Sequence, residues 1–368
     1  MSDPRLAQWA RIIAEYSVEI RPGDKVFIHT APVATPLVLE LVREILQRGG
    51  YPQYLIDLPG VSEVFFHYAS DEQLKIEPPL MKKVVEEFDV RIHIRAETNT
   101  KALSNVDPHK MSLYTAAQHP TMETFMRRQA AGELRWCVTQ FPTEACAQDA
   151  DMSLREYEEF VLGACLIDHP DPVASWKEVS AKQQKLVDWL RGKQRVQVKG
   201  PNCELTVGID GRTFINADGK KNFPDGEIFT GPEETVTEGW VKFTYPAIYV
   251  GREVEGAELE FKGGRVVKAG AKKGEDFLIK MLDTDAGART LGEFAIGTNA
   301  GIQKFTRNIL FDEKIGGTIH MAVGAGYPDT GSKNVSAVHW DLICDTRDGT
   351  QITVDGVPFY RSGEFLVK

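Results

Sequence analysis

No stretch of this 368-residue chain approaches 18 uninterrupted apolar residues, so the signature of a membrane-spanning helix is missing. A basic excess is missing too. Lys and Arg number 43 against 53 Asp and Glu, a formal net charge of −10, and no basic face dominates a surface of that balance. Nucleic acid and anionic membranes are therefore poor partners. The five cysteines, Cys137, Cys146, Cys165, Cys203 and Cys344, are odd in number and contain no C-x-x-C pair, which points to reduced, structural thiols. The opening MSDPRLAQWARIIAEY carries charges throughout and lacks a secretory apolar core, so the expected location is the cytoplasm. Neither a Walker-type sequence nor a dinucleotide fingerprint occurs; the GAG at 324–326 has no third glycine and no helix after it. Internal repeats and low-complexity tracts are also absent.

What is present is an ordinary folding composition, 42% apolar and 26% charged, in a chain long enough for two domains with separate cores. The first half alternates β-rich runs with helical spacing. KVFIHT (25–30), YPQYLID (51–57), FDVRIHIRA (88–96) and LRWCVTQFP (134–142) read as strands. A helix from Thr35 ends at Gly49-Gly50, and a second is expected across 62–87. Strands separated by helices of ten residues or more imply parallel pairing, hence an α/β domain with an open, mainly parallel sheet. Helices beginning at Ser153 and Ser175 close this half, the second ending before Gly192. From Arg195 the grammar changes to alternating runs such as RVQVKG, CELTVGID, WVKFTYPAIYV, AELEFKGGRVVKA and TQITVDG, interrupted by one helix near 274–285. The second half is expected to be mainly antiparallel β, of α+β type, and to carry the functional site. The expected domains are 1–192 and 193–368.

Four stretches of the β half hold the chemistry. In NFPDGEIFTGP (222–232), Glu227 sits in a turn running into a strand, where an exposed turn carboxylate is the plain alternative. In LGEFAIGTN (291–299), Glu293 lies among Leu, Phe, Ala and Ile, so it is exposed on one face, paired, or bound to a metal. FDEKIGGTIHMAVGAGYPDTG (311–331) contributes Glu313, His320 and Tyr327; a single strand histidine is ordinarily a hydrogen-bonded core residue. NVSAVHWDLICD (334–345) places His339 and Asp341 two residues apart on one strand face, with Trp340 pointing the other way. Of eight histidines, only His320 and His339 belong to the β half, and both sit in strand-like frames. Two imidazoles with several carboxylates and no cysteine make the donor set of an exchangeable two-metal hydrolytic site.

These four stretches, PDGEIFTGP, GEFAIGTN, DEKIGGTIHMAVG with GYPDTG, and SAVHWDLICD, resemble the motif set of the M29 family of metalloaminopeptidases, the thermophilic aminopeptidase T type. The likeness extends to PRLAQWARIIAEYSVEIRPGDKVFI and to RIHIRAETNTKALSNVDPHK in the first half. The chain departs from the pattern in being somewhat shorter and in the spacing KIGG between Glu313 and Thr318. The resemblance implies that Glu227, Glu293, Glu313, His320, His339 and Asp341 hold two divalent ions (zinc, cobalt, manganese or magnesium). It further implies that Tyr327 lies at the metals or against the reacting carbonyl and that the protein is a homodimer acting on peptides with a free amino terminus. The expected reaction is release of N-terminal amino acids by activated water, with Glu293 taking the proton and Tyr327 donating to the oxyanion. Two other readings compete. A metal-independent glycoside hydrolase needs only paired carboxylates and would ignore chelators, but it leaves both histidines unexplained. A non-catalytic small-molecule binding protein would use the same polar residues as a hydrogen-bond network.

Overall fold

The structure, a computed structural model, describes residues 3–367. It forms two compact units, one of residues 1–175 with 219–224 and the other of 176–218 with 225–368. The helix Pro172–Leu190 runs across the first junction, and the 219–224 segment returns to the first unit.

In the first unit the strands Lys25–Thr30, Tyr51–Ile56, Val90–Arg95 and Arg135–Gln140 pair in parallel, in the α/β arrangement expected. Lys25–Thr30 lies between Tyr51–Ile56 and Val90–Arg95, so the chain moves to one edge and then reverses past its own first strand. A fifth strand, the two residues Asn222–Phe223, pairs in parallel with Arg135–Gln140 and is too short to leave a periodic signal in the sequence. The single helix expected across 62–87 is instead three: Val61–Tyr68, Asp71–Leu74 and Pro79–Glu87. Two local causes outweigh the apolar spacing. Ser70 leaves the helical conformation to form a capping box with Gln73, and the Pro78-Pro79 pair can only begin a helix.

The second unit is mainly antiparallel. Eight strands order as Arg265–Gly270, Glu258–Lys262, Glu238–Lys242, Cys203–Gly208, Arg195–Gly200, Gln351–Val354, Val357–Arg361 and Glu364–Phe365. A second sheet orders His339–Asp345, Thr318–Gly324, Leu291–Gly297, Glu227–Thr230 and Ile215–Ala217. One apolar core joins side chains of both sheets, among them Val198, Leu205, Phe261, Phe294, Met321 and Leu342. The run WVKFTYPAIYV divides into Glu238–Lys242 and Ala247–Tyr249 at its proline. The expected helix spans Glu275–Leu282.

In the five-stranded sheet the residue alternation separates stability from chemistry. Ile228, Phe294, Ile296, Met321, Val323, Trp340 and Leu342 all belong to the apolar core. Trp340 is 1% exposed, stacks on Tyr249 at 5.4 Å and meets Phe277 at 5.8 Å. Trp340→Ala is expected to destabilise the protein by about 3–5 kcal/mol through the cavity it leaves. Chemical denaturation of wild type and variant measures this directly.

Candidate metal centre

Register gathers the polar face. Glu227 lies opposite Gly297, His320 opposite Ala295, Glu293 and Asp341 opposite Ala322 on its two sides, and His339 opposite Gly324. Each of these polar strand residues thus has glycine or alanine on at least one side of the ladder, His320 facing Ile343 on the other. The small partners leave open the volume that larger side chains would fill, and the carboxylates and imidazoles project into it.

Two glycines shape the approach. A β-bulge between Leu291 and Glu293 re-aims the glutamate, and a Cβ on Gly292 inside it would come 2.3 Å from the Ala325 carbonyl oxygen. A Cβ on Gly297 would come 2.3 Å from the Ile315 carbonyl oxygen. That bare position admits the segment that follows the short helix Ile309–Asp312 and carries Glu313 and Lys314 to the sheet.

The structure brings all six ligand-type residues expected from the sequence together. Glu227, Glu293 and His320 place one ligand atom each within 4.8 Å of one another, as do Glu293, His339 and Asp341, and again Glu313, His320 and Asp341. Glu293 belongs to the first two groups. His320 Nε2 lies 3.0 Å from Glu227 Oε2 and 3.2 Å from Glu293 Oε1, while His339 Nε2 lies 3.6 Å from Glu293 Oε2 and 3.7 Å from Asp341 Oδ2. His339 Nδ1 donates to the Ala325 carbonyl at 2.8 Å, which fixes its tautomer and leaves the Nε2 lone pair for a ligand. Tyr327, in the loop before Pro328–Thr330, meets His339 edge-on at 5.1 Å and Phe229 at 5.6 Å.

One residue escaped the sequence reading. Lys314 is fully buried, with Nζ against Glu313, 3.7 Å from Glu227 Oε1 and 4.0 Å from Asp225 Oδ1. Its place in the motif DEKIGG was visible, but a lysine ordinarily reads as solvated surface.

The electrostatics are those of charges out of water. Burial lowers the affinity of Lys314 for its proton, but Glu313, Glu227 and Asp225 outweigh it and hold the ammonium charged well beyond the usual lysine range. Burial acts to raise Glu227, yet Lys314 and His320 keep it below the ordinary carboxylate value. Glu293 is pushed up, by burial first and by Asp341, against the pull of His320. Glu313 rises to about 7, again by burial, with Lys314 opposing and Glu227 and Asp341 assisting. Both imidazoles are raised against their burial, His320 by Glu227 and Glu293, His339 by Asp341 and Glu293. Partial burial and the charges of Glu293 and Asp341 keep the Tyr327 phenol protonated.

This donor set fits divalent ions. Glu227 Oε2 is buried with His320 Nε2 at 3.0 Å but in no well-aligned hydrogen bond, a cost that ligation would remove. Asp225, Glu227, Glu293, Glu313 and Asp341 against the single ammonium of Lys314 leave a formal charge of −4 when both imidazoles are neutral, the charge that two dications offset. Metal ligands must shed protons, and Glu313, His320 and His339 all hold theirs to higher pH than usual. Metal affinity is therefore expected to climb as pH rises through about 7 and above, with protons released on binding. Calorimetric titration in buffers of different ionisation enthalpy counts those protons.

The model of the thermophilic metalloprotease (M29) family matches residues 2–365. The chain belongs to that family. It is 28% identical to aminopeptidase 2 of Geobacillus stearothermophilus, over 99% of this chain and 98% of that protein. Among solved structures, wild-type AmpT from Thermus thermophilus superposes with a TM-score of 0.87 at 23% identity, covering 99% of both chains. A 2,5-dihydroxypyridine dioxygenase from Pseudomonas putida shares the fold at a TM-score of 0.64 and 12% identity, over 100% of this chain and 99% of that one. The architecture thus hosts different chemistries, and the reaction must be argued from the site.

Proposed function

We propose that this metalloprotease is an aminopeptidase that removes N-terminal amino acids from peptides, using two divalent ions held by Glu227, Glu293, Glu313, His320, His339 and Asp341. The carrying observation is the overlap of the Glu227/Glu293/His320 and Glu293/His339/Asp341 groups at Glu293, which suits that carboxylate to bridge adjacent ions. Aminopeptidase names among relatives matched over 98% of their own length support the reading.

Bound divalent ions supply Lewis acidity, acidifying the attacking water and polarising the scissile carbonyl. The protein supplies the rest. Glu293 would serve two ligand groups and Glu313 only one, so the proton acceptor we favour is Glu313, whose buried carboxyl is raised to about 7. The protonated Tyr327 phenol, edge-on to the His339 ring, donates to the oxygen that gains charge. A glycosidase needs only paired carboxylates and leaves His320 and His339, both gathered with them, without a role.

No helix among the described residues is long and apolar enough to cross a membrane. A cytoplasmic homodimer remains part of this reading, and sedimentation measures the dimer.

A panel of aminoacyl reporters, each with an N-acetylated counterpart, tests the activity. Release is expected only from free amino termini, lost on chelation and restored by zinc, cobalt, manganese or magnesium. Chelator-insensitive release, or equal cleavage of acetylated reporters, would overturn the proposal.

A further inference from the structure

The first unit carries a polar cavity that the reaction does not use. Its volume is about 460 Å³, within the range of roughly 300–1,000 Å³ that encloses small ligands. Thr30, Asp57 and Arg95 line it where Lys25–Thr30, Tyr51–Ile56 and Val90–Arg95 reach their carboxyl ends. Strand order reverses on the two sides of Lys25–Thr30, so the cavity lies at a switch point of an open parallel sheet, where such folds take up ligands. Its other wall comes from 96–103, within the segment RIHIRAETNTKALSNVDPHK that the metal centre leaves unexplained.

His93 lines the cavity, and His29, outside the lining, stacks against it. His29 and His93 are register partners whose rings stack at 5.0 Å with 16° between planes. His29 Nε2 donates to Asp57 Oδ2 at 2.8 Å, while its Nδ1 is buried without a hydrogen-bond partner. Burial and the neighbouring His29 and Arg91 hold His93 down at about 3, so that ring is uncharged at neutral pH.

Charge selects the ligand. Arg95 Nε donates to Glu97 Oε1 at 3.1 Å, so the one cationic side chain in the lining already has a carboxylate partner. Asp57 and Glu63 have no lysine or arginine opposite them in that lining. With Asp57, Glu63 and Glu97 against Arg95, the lining carries a net negative charge that repels an anion such as phosphate and attracts an ammonium.

We propose that this cavity is a second ligand site, which binds the primary ammonium of a molecule of amino-acid to dipeptide size against Asp57 and Glu63. The preference for an ammonium rests on the lining alone. The choice of a free amino acid or dipeptide as occupant rests on the aminopeptidase reading, whose products and substrates these are.

Nitrogen-15 NMR of the histidine side chains tests it, on full-length protein stripped of metal so that the ligand is not consumed. L-leucinamide should shift the His29 and His93 signals, and N-acetyl-L-leucine and inorganic phosphate should not. Asp57→Asn and Glu63→Gln, at exposed positions that the fold tolerates, should each weaken that binding roughly tenfold. The proposal is overturned if phosphate or the acetylated compound moves the same signals, if only His320 and His339 respond, or if both variants bind as wild type. Failure here leaves the chelation-dependent release assay untouched, and failure of that assay leaves the ammonium preference standing.

Discussion

Glu293→Gln should cost the protein its metals and its turnover while leaving it folded. The amide matches the carboxylate in volume, so the bulge at Gly292 and the apolar face of Leu291–Gly297 are undisturbed. What changes is charge at the residue common to two ligand groups. Losing an outer partner of a ligand ordinarily lowers metal affinity about 10–100-fold, and loss of a bridging ligand should exceed that upper figure. Because Lewis acidity and charge stabilisation fail together, kcat/KM should fall by about 10³-fold or more. Metal titration and the aminoacyl reporter assay, run on the same preparation, read both. Retention of two ions with full activity would refute the bridging assignment.

Lys314→Met should have the largest effect on stability at the site. The methionine fills a similar volume but leaves Glu227, Glu313 and Asp225 without the cation that pairs with them in the interior. Removing one partner of a buried ion pair costs about 3–5 kcal/mol, and the metal-free protein should lose that much in chemical denaturation. Metal-loaded protein should lose less, because bound dications answer the same carboxylates. The folded pKa of Lys314 lies above its ordinary value, so its contribution is complete through neutral pH and fades only in the alkaline range. A variant as stable as wild type without metal would show that Lys314 does not hold these carboxylates in place.

The parallel sheet was legible because each strand is a compact β-rich run bounded by turn residues, and Lys25–Thr30 has the limits expected. The helix across 62–87 was misread because periodicity ignores caps: Ser70 and Pro79 each start a new helix within one apolar pattern. Asn222–Phe223 could not be read from two residues; it exists because the chain returns to the edge of Arg135–Gln140. At the site, His339 and Asp341 were legible from their spacing alone, since i and i+2 share a strand face. Glu313 was recognisable only by resemblance, because it sits at the end of a four-residue helical turn that has no periodic signature. Lys314 was illegible for a different reason: its burial is set by three carboxylates distant in sequence or hidden in the same turn, and no local pattern announces that.

The central claim is that these residues enclose a pair of ions. Anomalous diffraction from crystals of the protein grown with zinc or cobalt locates them directly. The account predicts two peaks about 3.5–4 Å apart, one beside Glu227 and His320, the other beside His339 and Asp341, with Glu293 between. A single peak, or peaks bound elsewhere on the chain while these side chains stay unligated, would contradict it.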